Sequence, residues 1–125
     1  MTKIETTNAP GAIGPYSQGM RACRLVFTSG QIPLDPETGA VVGDTIEAQS
    51  EQALKNLQAV LEAGGAALGT VIKTTCFLSD MGNFAAFNAV YAKFFTGDCP
   101  ARSCVAVKTL PKGVKVEVEA IAELI

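Results

Sequence analysis

The residues best equipped for chemistry lie near the end of the 125-residue sequence. Arg102 and Cys104 stand two apart in a segment that reads as a strand over residues 101–108. Glu117 and Glu119 stand two apart in another over 114–124. In extended chain, residues two apart share a sheet face, so Arg102 and Cys104 point together while Ser103 and Val105 point the other way. A hairpin centred on Pro111 is one topology for these strands. It would set Cys104 opposite Glu117 and Arg102 opposite Glu119, gathering a guanidinium and two carboxylates on one face. The planar fork of Arg102 matches the paired oxygens of a carboxylate or phosphate, and a nearby Glu could move protons or hold water. The same spacing describes an ordinary Arg–Glu ion pair on a sheet surface, and spacing leaves both readings open.

Two further residues carry weaker signals. Tyr16, one of only two tyrosines, sits in Gly14-Pro15-Tyr16-Ser17-Gln18-Gly19, where its phenol could meet a ligand or fold onto the core. Cys104 has no histidine to activate it, so a small buried thiol is the stronger reading.

Composition narrows the chemistry further. The chain contains no histidine and no tryptophan. That removes Ser-His-Asp and Cys-His pairs, histidine metal sites and an imidazole base. A net charge of −2 and a pI near 5.0 argue against general nucleic-acid binding, which needs a basic footprint. Four irregularly spaced cysteines, Cys23, Cys76, Cys99 and Cys104, form no CxxC motif and read as free thiols in a reducing compartment. The N-terminus lacks a signal-peptide pattern, and no apolar run reaches the length of a membrane span. The expectation is a soluble, cytoplasmic protein, with an organellar home left open. Apolar residues make up 48% and charged residues only 18%, below the usual quarter or so. Association that hides apolar surface is the expected remedy.

One domain, residues 1–125, must position these groups. Pro and Gly punctuate the first forty residues into turns and short strands, the clearest at 24–32 leading into Ser29-Gly30. Ile46, Ala53, Leu54, Leu57, Val60 and Leu61 recur at helical spacing within 45–63, and Gly64-Gly65 ends that helix. A buried strand follows at 71–78, then a second helix over 83–95 with capping chemistry from Ser79, Asp80 and Asn83. Its Phe84, Phe87, Tyr91, Phe94 and Phe95 form one broad face, and core packing is the reading for the phenylalanines. The last strand alternates Val114, Val116, Val118, Ala120 and Ala122 with Lys115, Glu117, Glu119, Ile121 and Glu123. The architecture is α+β, with two helices covering one face of a sheet.

Taken together, the blocks APGAIGPYSQG at 9–19, FTSGQIP at 27–33, FAAFNAVYAKFF at 84–95, PARSCV at 100–105, LPKG at 110–113 and VEVEAIA at 116–122 closely resemble the RidA/YjgF family of reactive intermediate deaminases. The resemblance runs nearly end to end. It implies a chorismate-mutase-like mixed sheet assembled as a homotrimer, with ligand clefts between subunits. It also implies that the strand at 71–78 lies between the last two strands, so Arg102 and Glu117 would meet through the assembled cleft rather than across a hairpin. The implied activity is cofactor-independent and metal-free hydrolysis of enamines and imines, such as 2-aminoacrylate, 2-iminopropanoate and 2-iminobutanoate, to 2-keto acids and ammonia. Arg102 would grip the substrate carboxylate, Glu117 would handle the water, and the Cys104 carbonyl would help hold water or substrate nitrogen. Tyr16, Ser29 and Gly30 would line the cleft with Asn88 and Ser103 as further substrate contacts.

Two positions depart from the family pattern. Gln58, in Asn56-Leu57-Gln58-Ala59-Val60, stands where the family commonly has lysine, so no role for a reactive lysine transfers. Gly19 replaces a frequent alanine and is expected to matter little. The competing functions are an endoribonuclease or translation inhibitor, disfavoured by charge and composition, and a non-catalytic trimer that senses small carboxylates or acts as a chaperone. A pure sensor needs the Arg but has less use for the Glu.

Overall fold

The alternation of the last strand organises the fold. In the computed structural model, which describes residues 1–125, this strand is β6 (Val116–Glu123). The preceding strands are β1 (Thr2–Ile4), β2 (Gly19–Ala22), β3 (Leu25–Thr28), β4 (Val71–Leu78) and β5 (Ala101–Ala106). They form one mixed sheet in the order β1-β2-β3-β6-β4-β5. Val116, Val118, Ala120 and Ala122 point to a common side and are buried. Two helices, α1 (Ile46–Ala63) and α2 (Phe84–Phe94), cover that side.

Local chemistry sets the ends of α1. Thr45 accepts a hydrogen bond from the Ala48 amide at 3.1 Å and caps the N-terminus. At the other end the Gly65 amide reaches the Glu62 carbonyl and the Ala66 amide the Leu61 carbonyl, both ladder-closing bonds. Gly65 takes φ +88° to allow this, as a left-handed helix terminator requires. Leu54, Leu57, Val60 and Leu61 are fully buried beneath β6 and β3. α2 begins one residue later than the sequence suggests. Asp80 caps the short 3-10 turn before it, and the Asn83 side chain makes no capping bond.

The hairpin expected across Pro111 does not form. β4 lies between β5 and β6, antiparallel to β6 and parallel to β5, the arrangement implied by the family resemblance. A parallel pair needs a crossover, and α2 supplies it between β4 and β5. The strand expected at 24–32 is also shorter. β3 stops at Thr28, and pairing with β6 resumes only at a Gln31–Val118 bridge. Between them, Thr28 Oγ1 accepts from the Ala120 amide at 3.0 Å. The chain departs from β6 at Ser29-Gly30, opening a gap beside Glu117.

The second sheet face carries no helix. Phe27, exposed at 40%, and Val105, at 48%, lie on it with the partly buried Phe77 and Ile121. No helix is long and apolar enough to cross a membrane.

Gly19 differs from its expected role. It is a buried β2 residue paired with Thr28, and a Cβ there would lie 3.0 Å from the Phe27 carbonyl oxygen and from Val60 Cγ1. The carbonyl belongs to the neighbouring strand and cannot easily give way. Gly19→Ala is therefore expected to cost about 1–3 kcal/mol through overpacking, read as a lower urea midpoint at unchanged m-value.

Candidate functional site

Arg102 and Glu117 occupy opposite faces of the sheet. Parallel register places Arg102 beside Thr74 and Cys104 beside Cys76, and Thr74 and Cys76 are buried on the helix side. Glu117 instead pairs with Phe77 and Glu119 with Thr75 on the helix-free side. The single-face cluster that a hairpin would have made is absent because β4 separates the strands and the pleat sends the two groups apart.

On the helix side, the Arg102 Nη1 donates to Asn88 Oδ1 at 2.8 Å. Its Cζ lies 4.8 Å from the centroid of the Tyr91 ring and 5.5 Å from that of Phe84. The only ion pairs in the chain are Lys3–Glu5 and Lys55–Glu51, so Arg102 has no counter-charge. Five N–H donors with one committed to Asn88 leave the fork free for an anion. Burial pushes the Tyr91 phenol above its ordinary range, so it stays neutral beside the guanidinium. Cys104 is half-buried against the core, and burial pushes its thiol up despite the opposing Arg102 charge. Its neighbour Cys76 is pushed to about 12 by burial. Neither thiol is a nucleophile at neutral pH. All four cysteines are free.

On the other side, Glu117 lines a cleft of about 610 Å³, within the size range of small-ligand sites. Tyr16, Ser29 and Gly30 line it too, joined by Glu119, Gln31 and Ile13. Desolvation by burial, followed by repulsion from Glu119, raises the Glu117 carboxyl above its ordinary value. Its carboxylate accepts no hydrogen bond within the chain. A Cβ built on Gly30 would overlap it, so the missing side chain lets the carboxylate lie against backbone.

The loop facing Glu117 is held by a buried glutamine. Gln18 Oε1 accepts from the Thr6 amide at 2.7 Å, and its Nε2 donates to the Thr6 and Pro10 carbonyls at 3.0 and 2.7 Å. Ser29 Oγ donates to the Ser17 carbonyl, tying the Tyr16 loop to the end of β3. Tyr16 itself is exposed at 50%.

The structure thus brings Tyr16, Ser29, Gly30 and Glu117 into one cleft, and Arg102, Asn88 and Cys104 into a second cluster. Ser103 is exposed on the helix-free face of the edge strand β5, outside the cleft. Sequence reasoning missed Gln18 and Gln31, whose Nε2 donates to the Ser29 carbonyl at 3.3 Å, as loop-holding groups, and Tyr91 and Phe84 as neighbours of Arg102. The two aromatics carried a signal in their helical spacing, which read as core for Phe84 and gave Tyr91 no separate role. No group of three His, Cys, Asp or Glu side chains could hold a metal ion.

Fold and site define a small α+β protein that would handle an anionic ligand with Arg, carboxylate and backbone groups. The chain belongs to the RidA/YjgF family, whose sequence profile, described as Endoribonuclease L-PSP, matches residues 6–124. It is 54% identical over 122 residues to the 2-iminobutanoate/2-iminopropanoate deaminase of Salmonella typhimurium, covering 95% of this chain and 94% of that one. The crystal structure of Escherichia coli TdcF with bound serine superposes at TM-score 0.94, with 48% identity and 98% of each chain covered. That of the E. coli YjgF gene product also superposes at 0.94, with 49% identity and 98% of each chain covered.

Gly30→Ala should displace the Glu117 carboxylate. If Glu117 handles protons, the variant should lose about 10²-fold in kcat, matching Glu117→Gln. A kcat within about twofold of wild type would separate Gly30 from the chemistry.

Proposed function

We propose that this protein is a deaminase that hydrolyses 2-imino acids and their enamine tautomers, among them 2-iminopropanoate and 2-iminobutanoate, to 2-keto acids and ammonia. Glu117 carries the reading. It is a half-buried carboxylate of raised pKa, without a hydrogen-bond partner, facing a cleft in a chain without histidine. A binding protein for small carboxylates would need Arg102 but has no use for such a group. The acidic pI and the lack of histidine speak against a nuclease.

The working unit of this proposal is a cytoplasmic homotrimer. Arg102 and Glu117 cannot meet within one protomer, and the apolar helix-free face would be covered by a neighbouring copy. Closing a ring head-to-tail would place Arg102 of one subunit across the cleft from Glu117 of the next. The serine bound to TdcF supports a site built for a small amino-acid skeleton.

In the reaction, Arg102 takes the substrate carboxylate through its free donors. Glu117 accepts a proton from water as the water oxygen bonds to C2 of the imine, whose nitrogen takes up a proton. The carbinolamine then collapses: Glu117 returns the water-derived proton to the amino nitrogen, the C–N bond breaks and ammonia leaves, and the C2 hydroxyl loses its proton to solvent to give the keto group. An enamine is first protonated at C3. No electrons are transferred and no cofactor enters. The backbone carbonyl of Cys104, on the edge strand, would help hold the water or the departing nitrogen. Tyr16, Ser29 and Asn88 complete the enclosure, with Ser103 reaching the substrate only from a neighbouring subunit's side.

Generating 2-aminoacrylate from serine with a PLP-dependent dehydratase and following pyruvate tests the activity. Added protein should accelerate pyruvate appearance, Arg102→Ala should abolish most of that gain, and Cys104→Ala should change it little. No acceleration together with tight binding of a 2-keto acid would favour the sensor. Co-refolding equal amounts of Arg102→Ala and Glu117→Gln should restore about a quarter of wild-type activity, because each mixed three-membered ring regains one intact site; no recovery in correctly assembled mixed rings would overturn the shared site. The acid limb of kcat should lie above the ordinary carboxylate range, since activity appears only as pH rises through the raised Glu117 pKa. Glu117→Gln should remove that limb.

A further inference from the structure

Arg102 is held in place without a carboxylate, and the source of that restraint is Tyr91. The guanidinium carbon stands 4.8 Å from the Tyr91 ring centroid. The ring cannot turn away. Its centroid lies 5.6 Å from that of Phe87 and 4.5 Å from that of Phe95, and its hydroxyl shares a buried 2.8 Å hydrogen bond with Thr74 Oγ1. Thr74 is the residue paired with Arg102 across the β4–β5 ladder. The tether therefore runs from the strand beside Arg102, through the phenol, to the ring face under the guanidinium.

We propose that Tyr91 is a positioning residue, whose ring face, fixed by Thr74, aims Arg102 and keeps its donor fork open for the substrate carboxylate. This rests on the reading of Arg102 as a carboxylate clamp. A cation attracted to an aromatic face keeps its N–H donors, whereas a cation held by an internal carboxylate gives them up. Asn88 uses one donor of the fork, and the Phe84 ring, 5.5 Å away, borders the guanidinium. Tyr91 is 6% exposed and its hydroxyl is committed to Thr74, so its part is to support Arg102 rather than to touch substrate.

The test is steady-state kinetics on 2-iminopropanoate. Tyr91→Leu removes both face and tether and should raise KM roughly tenfold, with kcat within about twofold of wild type. Tyr91→Phe keeps the face, loses the tether, and should raise KM by only about threefold. In an Arg102→Ala background, Tyr91→Leu should change kcat/KM by less than about twofold, because the support then has nothing to hold. An unchanged KM in folded Tyr91→Leu, or the same fold-change in both backgrounds, would overturn the proposal and leave Tyr91 as core. If Tyr91→Leu does not fold, Tyr91→Phe carries the test at its smaller factor. An Arg102→Ala variant with wild-type KM overturns the clamp itself, which separates failure of the underlying reading from failure of the part assigned to Tyr91.

Discussion

The pleat of β6 is the constraint on which the molecule depends. Side chains alternate strictly along a strand, so a one-residue slip would exchange Val116, Val118, Ala120 and Ala122 for Glu117, Glu119 and Glu123 in the core. Burying unpaired carboxylates against α1 would unfold the domain, and register is therefore firmly set. Once it is set, every partner of β6 is placed. β4 must turn Thr74, Cys76 and Leu78 inward, and β5, in parallel register with β4, must turn Arg102 inward with them. Hydrophobic burial thus decides that Arg102 and Glu117 lie on opposite faces.

Both groups are left incompletely satisfied within the chain. Glu117 is pressed against Gly30 with its charge partly desolvated, and Arg102 has aromatic faces and one amide in place of a counter-ion. A pair selected only for stability would be brought together, since a lone desolvated carboxylate is a net cost. Within the chain, the ordinary Arg–Glu ion pair that the spacing left open does not form. Groups held in place yet unpaired are how a fold keeps binding capacity for a ligand or a second copy.

Much of this was legible in the residues, and the limits have physical causes. Periodicity identified α1, β4 and the buried set of β6, because apolar spacing records which face is covered. It could not say which face of β5 turns inward. Arg102-Ser103-Cys104-Val105 has no apolar rhythm, and the answer comes from pairing with β4, about thirty residues away. The Pro111 turn suggested a local hairpin, and the non-local parallel pairing prevailed once α2 could bridge it; only the family resemblance anticipated that order. Gly30 was expected to line the cleft, but that the Glu117 carboxylate lies against it depends on where β3 leaves β6. Gly19 looked replaceable because its contacts come from β3 and α1.

The absence of histidine turns base chemistry into a problem of carboxylate tuning. Burial lifts Glu117, strengthening it as a base, and Glu119 adds to the lift. In the proposed ring, Arg102 of a neighbouring subunit would oppose this, since a cation near a carboxylate lowers its pKa. In the same proposal the substrate would resolve the conflict: its carboxylate would neutralise the guanidinium, removing the opposing charge when a base is needed. Binding a carboxylate-bearing imine would then both position the electrophile and restore the basicity of Glu117. A neutral imine would do neither, so discrimination for imino acids would arise from proton transfer as well as from binding. The proposed aromatic support of Arg102 would serve the same end, because a carboxylate in its place would have neutralised the guanidinium before substrate arrived.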